Sequence, residues 1–520
     1  MSLRTALAVP ARYGSLAAGM LPVLAFPSLN LEPLAWVGLI PALLLFRAAP
    51  TAREAAVRGW WFGTGYVLAA MYWLLPSVGP ALPLIAIVFG TLQTGLGAAA
   101  RALLRPPLTV RRALAALVVL PSLWVVAEFA RSWQALGGPW ALLGATQWQH
   151  PALLALASLG GIWLLSAAVV AVNTGVLLAL LAAHTPVRAL GALAATAVLV
   201  TGPAAFALTP APRPVRTATI DLVQPGLTPD GAARLDASAA LTAALAAPGA
   251  QRPDLIVWGE SSVTTDLARD TATLARLRAL SAATGSELLV NEDARKGDGH
   301  ISKDAVLLDA SGVQARYAKM RLVPFGEYIP FRGALGWLTG ISKAAAENRT
   351  PGHSFHLFEP TDHTGRPLPA GVLICFESAF PDLSRTATLQ GAQLLVYQSA
   401  TSTFQDSWAP EQHASLAALR AAETGRPVVQ AALTGVSVAF DPQGRELAAY
   451  GTGQRGVLTV RLSLPSPDAR TVYDRIGDVV PWTALAVTAA AAGAALHRSR
   501  RRTTTQRPDR AARPQPAARR

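Results

Sequence analysis

The first 208 residues alternate long apolar blocks with short breaks that are polar or carry arginine. The blocks lie near 5–27, 30–48, 57–76, 80–103, 112–131, 155–183 and 188–208. Each is close to the ~20 residues that cross a bilayer as a helix. An eighth block lies near 479–497. Between the seventh and the eighth the pattern changes. Short apolar runs, ATIDLVQP (218–225), DLIVWGE, ELLVNED, AVLLDAS, VQARYAK, SFHLFEP, AGVLICFE, AQLLVYQSA, PVVQAAL, GVSVAFD and GVLTVRL, read as strands. Ala232–Ala246, Ala268–Ala283, Phe380–Gln390 and Pro410–Thr424 read as helices between them. This alternation predicts an α/β layered domain. The chain therefore divides into a polytopic membrane bundle over 1–208 with about seven helices, a catalytic domain over 209–478, a C-terminal span over 479–497 and a basic, disordered tail over 498–520.

Composition supports that division. Apolar residues make up 52% of the chain and charged ones only 15%, with a mean hydropathy of +0.34. The net charge is +14, but its arginines flank the apolar blocks or crowd the C-terminus. With no aromatic-studded basic surface, a nucleic-acid partner is not expected. The charge orients the chain instead. Arg47, Arg53, Arg58, Arg101, Arg105, Arg111, Arg112 and Arg188 lie in alternate loops, and the loops near 28–30 and 77–80 have no basic residue. Positive-inside bias places the N-terminus and the tail in the cytoplasm and residues from about 209 to 478 outside. The first block holds Pro10 and Arg12 and is the weakest span; it is long and lacks the small-residue cleavage site of a signal peptide.

Three strand ends carry chemistry. Cys375 closes GVLIC, Glu260 closes DLIVWGE, and Lys319 follows VQARYA. Taken alone, each has a plain reading: a small buried hydrophobe, a surface glutamate, a solvated lysine. Taken together at one rim of a sheet they make a different set. A carboxylate takes the proton of a thiol, and an ammonium favours thiolate and holds a developing oxyanion. That set performs acyl transfer through a thioester. Cys375 is the only cysteine, so it forms no internal disulfide and is expected to stay a free thiol. The eight histidines are dispersed and no spacing fits zinc, so no metal or cofactor is called for.

The order Glu, Lys, Cys and the block Tyr317–Pro330, YAKMRLVPFGEYIP, with the flanking membrane segments, resemble the apolipoprotein N-acyltransferase branch of the nitrilase (carbon–nitrogen hydrolase) superfamily. The resemblance covers nearly the whole chain. It implies an α-β-β-α sandwich, and a catalytic triad of Glu260 as general base, Lys319 as oxyanion stabiliser and Cys375 as nucleophile. It places Glu327 and Glu377 in the active site as supporting groups. It implies a lid that binds substrate through Leu335, Trp337, Leu338 and Ile341, against the plain reading of a helix packed on the domain. The implied reaction moves an acyl chain from a membrane phospholipid, through a cysteine thioester, to the α-amino group of a diacylglyceryl-cysteine lipoprotein. The implied setting is the bacterial inner membrane, with the catalytic domain on the periplasmic side and the chain a monomer. Gly137, Gly138, Pro139 and Trp140 match a Gly-Pro-Trp element of the branch, read as a platform beneath the catalytic domain, with Trp133, Trp140 and Trp148 as interfacial anchors. Glu128 and Arg131, at the end of the fifth span, read as an i, i+3 pair or as functional groups. The chain departs from the branch pattern at Gly259, Ser302, Lys303, Phe376, Ser399, Ala400, Thr403, Phe404, Leu433 and Thr434. The alternatives are a membrane-tethered amidase hydrolysing a small amide and a catalytically weak membrane scaffold.

Overall fold

The computed structural model describes residues 3–209, 212–249, 251–329, 332–335 and 349–505. Helices occupy the apolar blocks. Among the described residues, five are long and apolar enough to cross a membrane: Ala81–Leu104, Val110–Arg131, Ala157–Leu181, Thr185–Leu208 and Val479–Arg501. The other blocks form helices that are shorter or carry charge. Leu3–Met20 contains Pro10 and Arg12, and Ala52–Ala70 contains Arg53, Glu54 and Arg58. The Glu54 carboxylate accepts from Arg12 (2.7 Å) and from Arg58 (3.2 Å). The charges thus neutralise one another, the usual condition for tolerating them in an apolar bundle.

The second block is broken into Pro33–Val37 and Ile40–Arg47. Asn173, buried in the helix Ala157–Leu181, makes the break good. Its Nδ2 donates to Ala35 O (2.8 Å) and its Oδ1 accepts from Leu39 N–H (3.0 Å). The amide stands where an i to i+4 backbone bond would be, and no water is at hand to replace it. The C-terminal helix runs from Val479 to Thr505, past the expected end at 497. Nothing between His497 and Thr505 stops a helix, since the next proline is Pro508. Residues 506–520 of the expected tail lie outside the described residues.

The α/β domain is two sheets face to face with helices outside. In chain order the strands are β1 Pro214–Gln224, β2 Leu255–Trp258, β3 Glu287–Arg295, β4 Ile301–Leu308, β5 Val313–Ala318, β6 Ala370–Ile374, β7 Leu394–Ser399, β8 Val428–Ala432, β9 Ser437–Phe440, β10 Glu446–Tyr450 and β11 Gly456–Pro465. One sheet runs β11-β1-β2-β3-β4-β5 and the other β10-β9-β8-β7-β6. Strand alternation divides their side chains. Leu255, Val257, Ala305 and Leu307 meet Val372, Ile374 and Val396 between the sheets. Ile256, Trp258, Val306 and Leu308 face the helix side. Gly231–Ala244 and Thr271–Thr284 cover one sheet, and Pro381–Leu389 and Ala409–Thr424 the other. The result is the expected α-β-β-α sandwich.

One local expectation needs correction, and one strand was not expected. SFHLFEP is not a strand; only Phe358 bridges, opposite Ala370, because Pro351 and Pro360 bound too short a segment to extend the ladder. Glu446–Tyr450 is an edge strand that the alanine-rich ELAAY does not announce.

The sandwich sits on the bundle through one continuous apolar core that joins Trp140, Leu143 and Ile162 to Phe376, Phe380 and Leu416. A polar contact fixes the docking. Gly160 and Gly161 break the membrane helix near its start, and the Glu423 carboxylate accepts from Ile162 N–H beyond the break (2.7 Å). Glu423 is itself held by Arg420 (2.8 Å).

Asn173→Leu is expected to leave Ala35 O and Leu39 N–H unpaired. The cost is about 1–3 kcal/mol, read as earlier thermal unfolding of the full chain in detergent.

Candidate active site

Each candidate triad residue lies just beyond a strand end, where the period-two alternation stops and the backbone is free to turn. Glu260 follows β2, Lys319 follows β5 and Cys375 follows β6. The structure brings all three together at one mouth of the sandwich. The Cys375 thiol lies beside the Glu260 carboxylate, close enough to feel its charge and those of the neighbouring lysines. Lys319 Nζ donates to Glu260 Oε1 (3.1 Å) and to Glu327 Oε1 (3.0 Å). Glu327 Oε2 accepts from Val323 N–H (2.9 Å), which fixes the Lys319–Glu327 loop on itself.

A second lysine completes the cluster. Lys303 Nζ, near the start of β4, donates to Glu260 Oε1 at 2.8 Å and lies 3.3 Å from Glu327 Oε1. Its placement follows from strand period: Lys303, Ala305 and Leu307 share the face between the sheets, as do Ala315, Tyr317 and Lys319. Lys319 N–H also donates to Lys303 O (2.8 Å), joining the two segments. In the sequence Lys303 stood out only as a departure from the branch pattern. Its alternation with Ala305 and Leu307 was the signal that would have found it.

Electrostatics follow from this packing. Burial would raise the Glu260 carboxyl, but the ammoniums of Lys303 and Lys319 overcome it and hold it below the usual carboxylate range. Glu327 behaves alike: burial opposes, Lys319 and Lys303 prevail, and it is lowered. Burial would lower the two lysines, but the carboxylates hold both above the ordinary value. Burial, with ionised Glu260 beside it, pushes the Cys375 thiol up to about 12. At rest the site therefore holds a thiol, two carboxylates and two ammoniums.

Glu377 is brought close but not into this cluster. Its Oε1 accepts from Tyr317 O–H (2.8 Å), Met320 N–H (2.8 Å) and Arg321 N–H (3.0 Å), and its Oε2 from Ile374 N–H (2.8 Å). It ties the backbone before Cys375 to the backbone after Lys319. Of the expected lid, Leu335 ends the one-turn helix Arg332–Leu335. Trp337, Leu338 and Ile341 lie outside the described residues.

The turns that present these groups are strained. Cys375 has φ +52 and Ser261, next to Glu260, φ +56, in the left-handed region that non-glycine residues rarely adopt. Neighbouring side chains hold both turns. Asn291 Oδ1 accepts from Ser261 N–H (2.8 Å), and Asn291 Nδ2 donates to Gln398 Oε1 (3.2 Å). Gln398, on the other sheet, donates to Trp258 O (2.9 Å). His413 hydrogen-bonds with Ser399 through Nδ1 (3.0 Å) and, through Nε2, with Cys375 O (3.1 Å) and Ser378 (3.0 Å). Sequence reading singled out none of Asn291, Gln398 or His413; each lies inside a predicted strand or helix, where a polar residue carries no motif.

The membrane-side loop reaches the same turn. The Trp140 ring stacks on His413 (centroids 5.8 Å apart, 13° between planes), and Trp140 Nε1 donates to Gln412 (2.9 Å). Gly138 has φ +72, and a Cβ there would lie 2.5 Å from the Phe376 ring. Glu128 and Arg131 both hold this loop: Glu128 Oε1 accepts from Leu143 N–H (2.6 Å), and Arg131 donates to Trp140 O and Ala141 O. The platform is thus in direct contact with the turn that carries Cys375. Trp140 is buried in the platform, and Trp148 is half-buried against the core and donates to Asn30 (3.0 Å). Trp133 is 60% exposed and, with Gln134, Met320, Leu322 and Tyr328, lines a cavity of about 430 Å³ beside the Lys319 loop.

A thiol, carboxylate and ammonium on an α-β-β-α sandwich define a carbon–nitrogen hydrolase, here seated on a helical membrane bundle. Residues 222–469 match the carbon-nitrogen hydrolase family, and residues 18–175 match the apolipoprotein N-acyltransferase N-terminal domain. The chain is 30% identical to the apolipoprotein N-acyltransferase of Geobacter metallireducens over 92% of its own length and 94% of the relative's. It is 32% identical to that of Agrobacterium fabrum over 80% of this chain and 81% of the relative. An amidase from Nesterenkonia sp. aligns over 49% of this chain and 95% of its own at 23% identity, with a TM-score of 0.35. The chain belongs to the apolipoprotein N-acyltransferase family and is a multi-pass membrane protein.

Gly138→Ala is expected to weaken the platform twice over, through backbone strain of about 1 kcal/mol and through the clash with Phe376. Slower reaction of Cys375 with an alkylating thiol reagent, with little change in unfolding temperature, is the outcome that would show the platform bearing on the Cys375 turn.

Proposed function

We propose that the chain transfers a fatty acyl group from a membrane phospholipid to the α-amino group of a diacylglyceryl-cysteine lipoprotein. The observation that carries this reading is the convergence of Cys375, Glu260 and Lys319 at a mouth of the sandwich seated against the membrane bundle. In the first half, Cys375 Sγ attacks the ester carbonyl as Glu260 takes the thiol proton. Lys319 holds the oxyanion. The C–O bond breaks, the proton passes to the leaving oxygen, and a lysophospholipid departs. In the second half the lipoprotein amine attacks the thioester. Glu260 takes the amine proton and returns it to sulfur as the C–S bond breaks. Burial suits the thioester, which water would hydrolyse.

The resting thiol is far from ionised, so thiolate forms only as attack develops, with two ammoniums at hand. This also protects a lone cysteine, since thiolate is the readily oxidised form. The cavity beside Trp133 and Met320 lies within the size range of ligand pockets and is where we seat the donor's acyl chain. Glu327 orients Lys319, and Glu377 holds the two backbones that carry Lys319 and Cys375. We place residues 209–478 outside the bacterial inner membrane, on the periplasmic side, with the chain acting as a monomer. Arg47 and Arg101, which bond the Leu104 and Ala49 carbonyls, gather in the loops expected to be cytoplasmic, in keeping with positive-inside bias.

Incubating the full chain with phosphatidylethanolamine–phosphatidylglycerol vesicles is expected to add one acyl group to Cys375 by mass spectrometry, and none to Cys375→Ala. An acyl adduct on another residue, or release of ammonia from a small amide without any adduct, rejects the reading. Because Glu260 is held low, the base stays ionised as pH falls. Adduct formation should therefore persist below the ordinary glutamate range of about 4.3, and loss at a higher pH would contradict the assignment.

A further inference from the structure

We propose that Lys303 is a positioning residue of the catalytic centre, the second ammonium that bridges Glu260 Oε1 and Glu327 Oε1 and keeps the base ionised and turned to the thiol. The inference rests on the reading of Glu260 as base. A lysine near a strand start is more often a solvated edge residue, and three observations oppose that here. Lys303 is buried, with only 9% of its surface exposed. It shares the inter-sheet face with Ala305 and Leu307. Its nearest acceptor is Glu260, at 2.8 Å, while Asp293 stands at 3.6 Å.

Asp293 has its own partner: Arg349 Nη2 reaches both of its oxygens at 2.9 Å. The Lys303 charge is therefore left for Glu260 and Glu327. Without it, Lys319 alone would face two buried carboxylates, and like charges sharing a site push one of them toward the protonated form. The charged and titratable groups around Glu260 are Lys303, Lys319, Cys375 and Glu327, with Asp293, Arg349 and His413 behind them. Of these, only the two lysines touch the Glu260 carboxylate with a positive charge. Lys319 faces the reacting carbonyl in the proposed mechanism. Lys303 thus leaves Lys319 free to follow the oxyanion while the base remains paired.

The sign of the pH effect follows. Removing a cation from beside a carboxylate destabilises its anion, so the first deprotonation of the Cys375–Glu260 pair moves to higher pH. The test is the burst of nitrophenolate from p-nitrophenyl octanoate with the full chain in detergent, measured against pH. Lys303→Met is expected to move the acid limb of the burst rate up by about 1–3 pH units, and Lys303→Arg, which keeps the charge, to leave it with the wild type. A smaller burst with an unmoved limb in Lys303→Met overturns the inference, as does failure of Lys303→Met and Lys303→Gln to fold while Lys303→Arg folds, which would make the charge a requirement of the fold. Glu260→Gln separates this inference from the reading beneath it. If Glu260→Gln keeps a wild-type burst, the base assignment falls; if it loses the burst while Lys303→Met leaves the limb in place, only the role of Lys303 falls.

Discussion

Two ammoniums set against two carboxylates, buried in the mouth between the sheets, are the balance on which the site depends. Charges are expensive to bury, and pairing with good geometry is what makes it tolerable. Lys303 and Lys319 meet Glu260 and Glu327 at 2.8–3.3 Å. The same balance underlies the proposed chemistry. It keeps the carboxylate ready to accept a proton and leaves the thiol protonated until substrate arrives. A cluster that is neutral at rest also meets a transient oxyanion without accumulating charge.

Holding that balance takes more than the four side chains. The backbone turns that present Cys375 and Glu260 sit in sparsely populated conformations, and each is over-determined by hydrogen bonds from elsewhere. Glu377 ties the backbone just before Cys375 to the backbone just after Lys319. His413 holds the carbonyl of Cys375 itself. Asn291 and Gln398 join the two sheets behind Glu260. Stability spent on these contacts buys a geometry that the turns would not adopt alone.

The membrane bundle takes part in this. Trp140 lies on His413, and the backbone at Gly138 lies against Phe376. Glu128 and Arg131, at the end of a membrane helix, spend their polar groups on the loop that carries Trp140. A path of direct contacts therefore runs from the bilayer-spanning helices to Cys375, which suits an enzyme whose donor is a lipid. The lone cysteine stands where the two halves of the molecule touch.

Much of this was legible in the chain. Hydrophobic length determined where helices cross or line the bundle, because a bilayer accepts only long apolar segments. Period-two runs determined the strands of the sandwich, and strand ends marked Glu260, Lys319 and Cys375. Local pattern was silent where contacts are long-range. Asn173 repairing a broken helix, His413 under the nucleophile and Gln398 behind the base look in sequence like ordinary polar residues. The edge strand Glu446–Tyr450 owes its form to pairing with β9 rather than to its own composition. Lys303 is the clearest case: its alternation with Ala305 and Leu307 was present in the sequence, but only the stacking of two sheets decided that this face would be an active-site wall. Sequence determines which groups a segment offers and on which side. Tertiary structure alone decides what those groups meet, because charge pairing and burial are properties of neighbours brought from far along the chain.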